Sequence, residues 1–302
     1  MSHPSNLNAL PDLHGKRILI TGGNRGLGYQ IALGLAGAGA ELVLACRDPA
    51  KAAAAVASLR AAQPTAKVEA MELDVADLAS VRRFADAFRA RYASLDVLIH
   101  NAAAIMVPQG KTKDGFETHL ATNHLGPFAL TGLLLDCLEA APAARVVSMA
   151  SLAHRMTQGL DPEDPGLTRR PYKEMDAYGR SKLAALLFTF ELERRLRRAG
   201  KRSIAVAAHP GYTATNLDLG NFFMRLSTRL FAQKPEIGAL PALMAATGAA
   251  VQGGDYYGPG GYKELGGLPK RVDCSAEAKD EELARRLWTL SEQLTKVNYL
   301  ES

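Results

Sequence analysis

Apolar residues recur along this chain in two alternating forms. One is a short, nearly continuous run rich in Val, Ile, Leu and Ala, at Arg17–Thr21, Glu41–Cys46, Lys67–Glu72, 96–100, Arg145–Met149 and 203–208. Runs without polar alternation read as parallel strands covered on both faces. The other form has helical spacing, over 26–38, Pro49–Ala62, 78–92, 123–138, 177–199 and, near the end, 276–296. Strand and helix in strict succession imply right-handed crossovers and an α/β, doubly wound parallel sheet with helices on both faces.

Two segments break the alternation. Residues 160–176 are rich in Pro, Asp and Arg and read as a loop inserted before the last long helix. Residues 212–234 form a long connection at the carboxyl side of a strand, where ligand sites are usually built. Residues 1–14 are polar, carry Pro4 and Pro11, and read as a flexible segment ahead of a single domain over 15–302. No linker or repeat divides that domain.

Composition changes this picture little. The net charge of +5 arises from 36 basic and 31 acidic residues, a scattered excess that argues against nucleic acid as partner. The three cysteines, Cys46, Cys137 and Cys274, have neither disulfide nor zinc spacing, which fits a reducing cytoplasm. Neither a signal-peptide core nor a membrane-spanning apolar stretch is visible.

The chemistry gathers at strand ends. Thr21-Gly22-Gly23-Asn24-Arg25-Gly26-Leu27-Gly28 follows the first strand and opens a helix. Gly22 permits a tight turn, Gly26 and Gly28 permit close approach, and the helix N-terminus offers unpaired N–H groups to a pyrophosphate. The second strand ends Cys46-Arg47-Asp48. An arginine there suits the 2′-phosphate of NADP, and Arg25 approaches the same phosphate; Asp48 serves the next helix as cap. Asp74 and Val75 follow the third strand, as adenine contacts or, for Asp74, as a helix cap. Asn101, Ala102 and Ala103 follow the fourth, small enough for a ribose to pack against.

Tyr178 and Lys182 lie four residues apart, on one helix face. A phenol with a pKa of about 10 is a poor acid or base, and a neighbouring ammonium draws it toward working range. The fifth strand ends Ser148-Met149-Ala150-Ser151, where a hydroxyl reaches a substrate carbonyl. The histidines at 100, 119, 124, 154 and 209 lack ligand spacing and read as structural or loop residues.

With these motifs in order, the chain resembles the short-chain dehydrogenase/reductase family, and within it the branch of the retinol dehydrogenases and protochlorophyllide reductases. The likeness is carried by Thr21-to-Gly28, Ala45-to-Asp48, Asn101-Ala102-Ala103, Asn123-His124-Leu125-Gly126, Arg145-to-His154, Tyr178-to-Lys182 and His209-Pro210-Gly211. It implies a Rossmann-type fold binding NADP(H), with Tyr178 as proton donor in reduction. Lys182 then lowers the Tyr178 pKa and holds the nicotinamide ribose. Ser151 polarises the carbonyl, Asn123 positions a water linking Lys182 to solvent, and Pro210, Gly211, Thr213 and Thr215 line the nicotinamide and phosphates. The sequence departs from the family pattern at Ala103, where glycine is usual, and at Ala150, where the first serine of a pair is usual.

The substrate end is less determined. Phe222, Leu226 and Leu230 share a four-residue spacing. Residues 221–231 read as a lid over an apolar pocket, as a core or homodimer contact, or as a shallow membrane contact. Residues 256–261 and the helix over 276–296 are expected to close the other side. The function expected is NADPH-dependent exchange of hydride with the carbonyl or alcohol of a small apolar molecule. The alternatives are reduction of a C=C bond by the same groups and a non-catalytic NADP sensor, the last opposed by the presence of Ser151, Tyr178 and Lys182.

Overall fold

The computed structural model describes residues 10–169, 171–212 and 233–300. Strands β1 (Arg17–Thr21), β2 (Glu41–Cys46), β3 (Lys67–Glu72), β4 (Val97–His100), β5 (Arg145–Met149) and β6 (Ile204–Ala208) form where the apolar runs lie. Two further strands, β7 (Tyr256–Pro259) and β8 (Pro269–Arg271), complete one sheet of order β3-β2-β1-β4-β5-β6-β7-β8. All neighbouring pairs are parallel except β7 with β8.

The helices are α1 (Gly26–Gly37), α2 (Pro49–Ala62), α3 (Leu78–Arg91), α4 (Thr118–Leu120), α5 (Gly126–Leu133), α6 (Leu135–Ala140), α7 (Glu174–Arg198), α8 (Pro235–Gly238), α9 (Leu240–Thr247) and α10 (Glu281–Thr295). Alternate strand residues serve opposite faces. Ile18, Ile20, Leu42 and Leu44 pack with Ile31, Leu35, Leu59 and Leu243 on the α1, α2 and α9 side. Leu19, Val43, Leu98 and Val146 pack with Phe84, Phe88, Phe128, Phe188 and Trp288 on the other. Each such buried side chain contributes about 1.5–3 kcal/mol, so both faces of the sheet are firmly covered.

The order reverses beside β1, which pairs with β2 on one side and β4 on the other. In open α/β sheets the ligand crevice lies outside the carboxyl ends at such a reversal. The register puts Thr21 beside Ala45 and His100 beside Ser148, so the segments beginning at Gly22, Arg47, Asn101 and Ala150 all emerge on that edge.

Three expectations are corrected. The helix expected over 123–138 begins earlier, at Thr118, passes through a π-turn at Ala121–Leu125, and is interrupted at Leu134 (φ −105°, ψ 7°). Glu117 caps the early start by accepting from the backbone amides of His119 and Leu120. At the end of the chain, the helical pattern over 276–296 divides into a 3₁₀ turn, Glu277–Lys279, and α10, capped by Asp280. The buried residues of α10, Leu287 and Trp288 among them, go into the core beside α7 and α5. Within the leading segment, Leu13 is buried and its amide donates to Ala38 O at 2.9 Å, so the chain is packed before residue 15. The substrate segment 221–231 lies outside the described residues.

Candidate active site

The glycine turn is held from across the sheet. The Thr21 hydroxyl oxygen accepts from the amides of Asn101 and Ala102, both at 3.0 Å. The Asn101 side-chain amide donates to Thr21 O at 2.9 Å and Gly22 O at 3.1 Å. Gly22 and Gly26 have φ of +67° and +52°, backbone that glycine adopts without strain. Gly28 plays a different part from the one expected. A Cβ there would stand 2.4 Å from both Asn101 Nδ2 and Gly22 O, so its smallness serves the turn's own packing. At Gly26 a Cβ would meet nothing within 4 Å, and the turn is open on that side.

This edge offers groups that could hold an anionic dinucleotide. The first turn of α1 carries no acidic residue, and Arg25 precedes it without a side-chain cap bond. Arg47 is exposed and has no ion pair among the described residues. Asp48, next to it, is committed: it caps α2 by accepting from Lys51 N at 3.1 Å. Asp74 is not a helix cap. It accepts from Ala76 N at 3.0 Å in a tight turn, while Asp77 caps α3. Val75 is buried, and its carbonyl oxygen would stand 2.0 Å from a Cβ on Gly126, which requires glycine after the π-turn. Cys46 lies beneath the glycine turn, where burial pushes its thiol up to about 11 against the pull of the Gly23 and Asn24 amides.

Ser151, Tyr178 and Lys182 meet at the same edge. Ser151 opens the short 3₁₀ turn after β5, its hydroxyl accepting from Ala153 N at 3.2 Å. Ser148, one turn of strand earlier, is buried with its hydroxyl unpartnered by any described residue. Lys182 Nζ donates to Met149 O at 2.7 Å and lies 5.9 Å from the centre of the Tyr178 ring. Burial pulls the lysine down to about 8. The phenol differs from expectation: burial pushes it above its ordinary value, and the group pulling it down is the Ser151 hydroxyl, not the ammonium. Asn123 sits in the π-turn. Its amide nitrogen donates to Ala104 O and Ser181 Oγ, and its oxygen accepts from Ala104 N. Both amide hydrogens are thus used, and only an oxygen lone pair remains for a water.

After β6, Gly211 (φ +70°) leaves no room for a Cβ, which would stand 2.7 Å from Leu265 O. Thr213 and Thr215 lie outside the described residues. Several contributors to this edge escaped the sequence reading. His209 Nε2 donates to Glu264 at 3.0 Å, Arg155 donates to the same carboxylate, and His154 Nδ1 donates to Ser151 O at 2.6 Å. Glu117 and Tyr172 bracket His119. Glu117, Tyr172 and Glu264 lie in polar or glycine-rich stretches that carry no signal of these pairings in the sequence.

A phenol, a hydroxyl and an ammonium gathered at the carboxyl edge of a doubly wound sheet fit an oxidoreductase. The comparisons make the class specific. Residues 16–162 match the family model described as short chain dehydrogenase. Retinol dehydrogenase 12 of Mus musculus is 37% identical over 290 residues, 94% of this chain and 88% of that protein. The WW domain-containing oxidoreductase of Homo sapiens is 39% identical over 297 residues, 94% of this chain and 69% of that protein. Among solved structures, an uncharacterized protein from Mycobacterium Paratuberculosis aligns with TM-score 0.82 and 41% identity, covering 97% of this chain and 98% of its own. The NADP active-site complex of Pseudomonas aeruginosa RhlG aligns with TM-score 0.64 and 25% identity over 81% of this chain and 94% of its own. The chain belongs to the short-chain dehydrogenase/reductase family, in the retinol dehydrogenase-like branch. It is accordingly an oxidoreductase.

Proposed function

We propose that the protein is an NADPH-dependent carbonyl reductase for apolar aldehydes or ketones, reversibly an alcohol dehydrogenase. The observation that carries this reading is the convergence of Ser151, Tyr178 and Lys182 on the edge where Arg47 is exposed and uncommitted. NADPH would lie with its pyrophosphate on the α1 N-terminus and its 2′-phosphate against Arg47 and Arg25. When bound, it supplies the hydride.

The chain's own groups do the rest. Ser151 donates a hydrogen bond to the substrate oxygen and orients it. Tyr178 delivers the proton to that oxygen; burial keeps the phenol protonated, which suits the reductive direction. Lys182 holds the ribose hydroxyls and supports the charge left on the phenolate. Asn123 fixes Ala104 and Ser181 beside them and offers its remaining lone pair to the proton-relay water. The names of the retinol dehydrogenases support a bulky apolar substrate.

The test is NADPH oxidation with all-trans-retinal, nonanal and an enone, for the wild type and Tyr178→Phe. Turnover is expected to fall by about 10²–10⁴-fold in the variant, the range a positioned acid supplies, with NADPH affinity nearly unchanged. A variant with normal turnover would remove Tyr178 from the mechanism. Reduction of the enone at carbon rather than oxygen would replace carbonyl reduction by double-bond reduction.

A further inference from the structure

Three segments close around His119, whose ring is fully buried. The Val107 amide donates to its Nε2 at 3.2 Å, which leaves the ring proton on Nδ1. That N–H points between Glu117 Oε1 at 3.0 Å and the Tyr172 hydroxyl oxygen at 2.8 Å. Tyr172 in turn donates to Glu117 Oε1 at 2.9 Å. Glu117 and His119 belong to the start of α4, Val107 to the loop after β4, and Tyr172 to the insert before α7. The same imidazole lies against the Tyr178 ring, with centroids 6.2 Å apart and planes inclined by 56°.

An apolar trio would anchor a loop equally well. Burying a carboxylate costs several kcal/mol before its partners compensate, so the polar triangle is an expensive anchor. It does what apolar packing does not: hydrogen bonds at both ring nitrogens stop His119 from rotating, so the surface against Tyr178 is fixed in angle. Lys173 provides no side-chain cap for α7. The start of that helix is tied instead by Tyr172 and by Asp176, which accepts from the Thr157 hydroxyl and the Gln158 amide.

We propose that Glu117, His119 and Tyr172 are positioning residues that set the direction of the Tyr178 phenol and couple it to the insert before α7. The inference rests on Tyr178 being the proton donor. Tyr172→Phe removes one hydroxyl and keeps the ring. With NADPH and nonanal or all-trans-retinal it is expected to lower kcat about 10-fold, within the effect of a sub-ångström misplacement. KM and the NADPH Kd are expected to stay within about twofold, since the triangle is proposed to act only through the direction of the Tyr178 phenol. Glu117→Gln, which keeps a cap oxygen, is expected to act in the same direction. Amide hydrogen exchange, which requires no substrate, is expected to quicken at 173–178 and to be unchanged in α3.

Wild-type kcat with unchanged exchange in Tyr172→Phe would overturn the inference. So would a loss of kcat matched by an equal loss of NADPH affinity, the mark of general loosening. Tyr178→Phe, measured alongside, separates the two readings. If it keeps normal turnover, the acid assignment fails and this inference with it. If it is inactive while Tyr172→Phe is unimpaired, only the triangle fails.

Discussion

Arg47 and Gly28 show how differently two residues of one cofactor edge are constrained. Arg47 is exposed, and no described residue competes for its guanidinium. Charge-assisted bonds to a 2′-phosphate contribute about 1.5–3 kcal/mol, so Arg47→Ala is expected to raise the NADPH Kd by about 10- to 100-fold. NADH, lacking that phosphate, should bind as before, and equal losses for both cofactors would refute the contact. Gly28 is constrained by the fold. Gly28→Ala forces a Cβ onto Gly22 O and Asn101, an overpacking worth about 1–3 kcal/mol that calorimetry reads as a lower Tm. The motif glycines were legible as a tight turn between β1 and α1 because strand, glycines and helix follow one another. That Gly28 fits against Asn101 was not, because the partner is brought in by a different strand. The same holds for Tyr178: its helical distance from Lys182 could be read directly, but not the burial that raises the phenol or the lysine's bond to Met149 O.

Elements are decided by their ends. Asp48 follows Arg47 and could be mistaken for a ribose ligand, yet its carboxylate closes the first turn of α2. Asp48→Ala is therefore expected to lower Tm while leaving the ratio of NADPH to NADH affinity unchanged; a shift of that ratio would return Asp48 to the cofactor site. The six strands from β1 to β6 and the helices α1, α2, α3 and α7 were legible to within a few residues, because continuous apolar runs and 3.6-residue periodicity are strong signals. The stretch from Thr118 to Ala140 was not. A π-turn displaces the hydrogen-bond ladder without a composition of its own, so periodicity over 123–138 gave no sign of it. Strand β8 escaped because Pro269-Lys270-Arg271 has no apolar pattern, as befits an edge strand.

The whole molecule buries several histidines neutral, and this shapes its acid stability. Burial lowers His100 and His124 to about 3 and His209 to about 4, against about 6.5 in an unfolded chain. Between those values the unfolded state binds protons that the folded state refuses, so stability falls as pH falls below about 6.5. Each such histidine contributes a slope of about 1.4 kcal/mol per pH unit until its folded pKa is reached. Tm is expected to decline steadily from pH 7 to pH 5, and His124→Gln to flatten the decline; a flat profile in the wild type would show that these imidazoles accept protons in place.

The bonds from Thr21 to Asn101 span 80 residues of chain. The glycine-rich segment is therefore no autonomous nucleotide-binding peptide. Its turn gains its bracing only when β4 has docked beside β1, and the entropy of closing so long a loop must be met first. During synthesis, then, a nascent chain displaying the glycine motif but not yet Asn101 has the letters of such a turn without its shape, and whatever affinity for a nicotinamide cofactor the turn confers is acquired late, with the central strands.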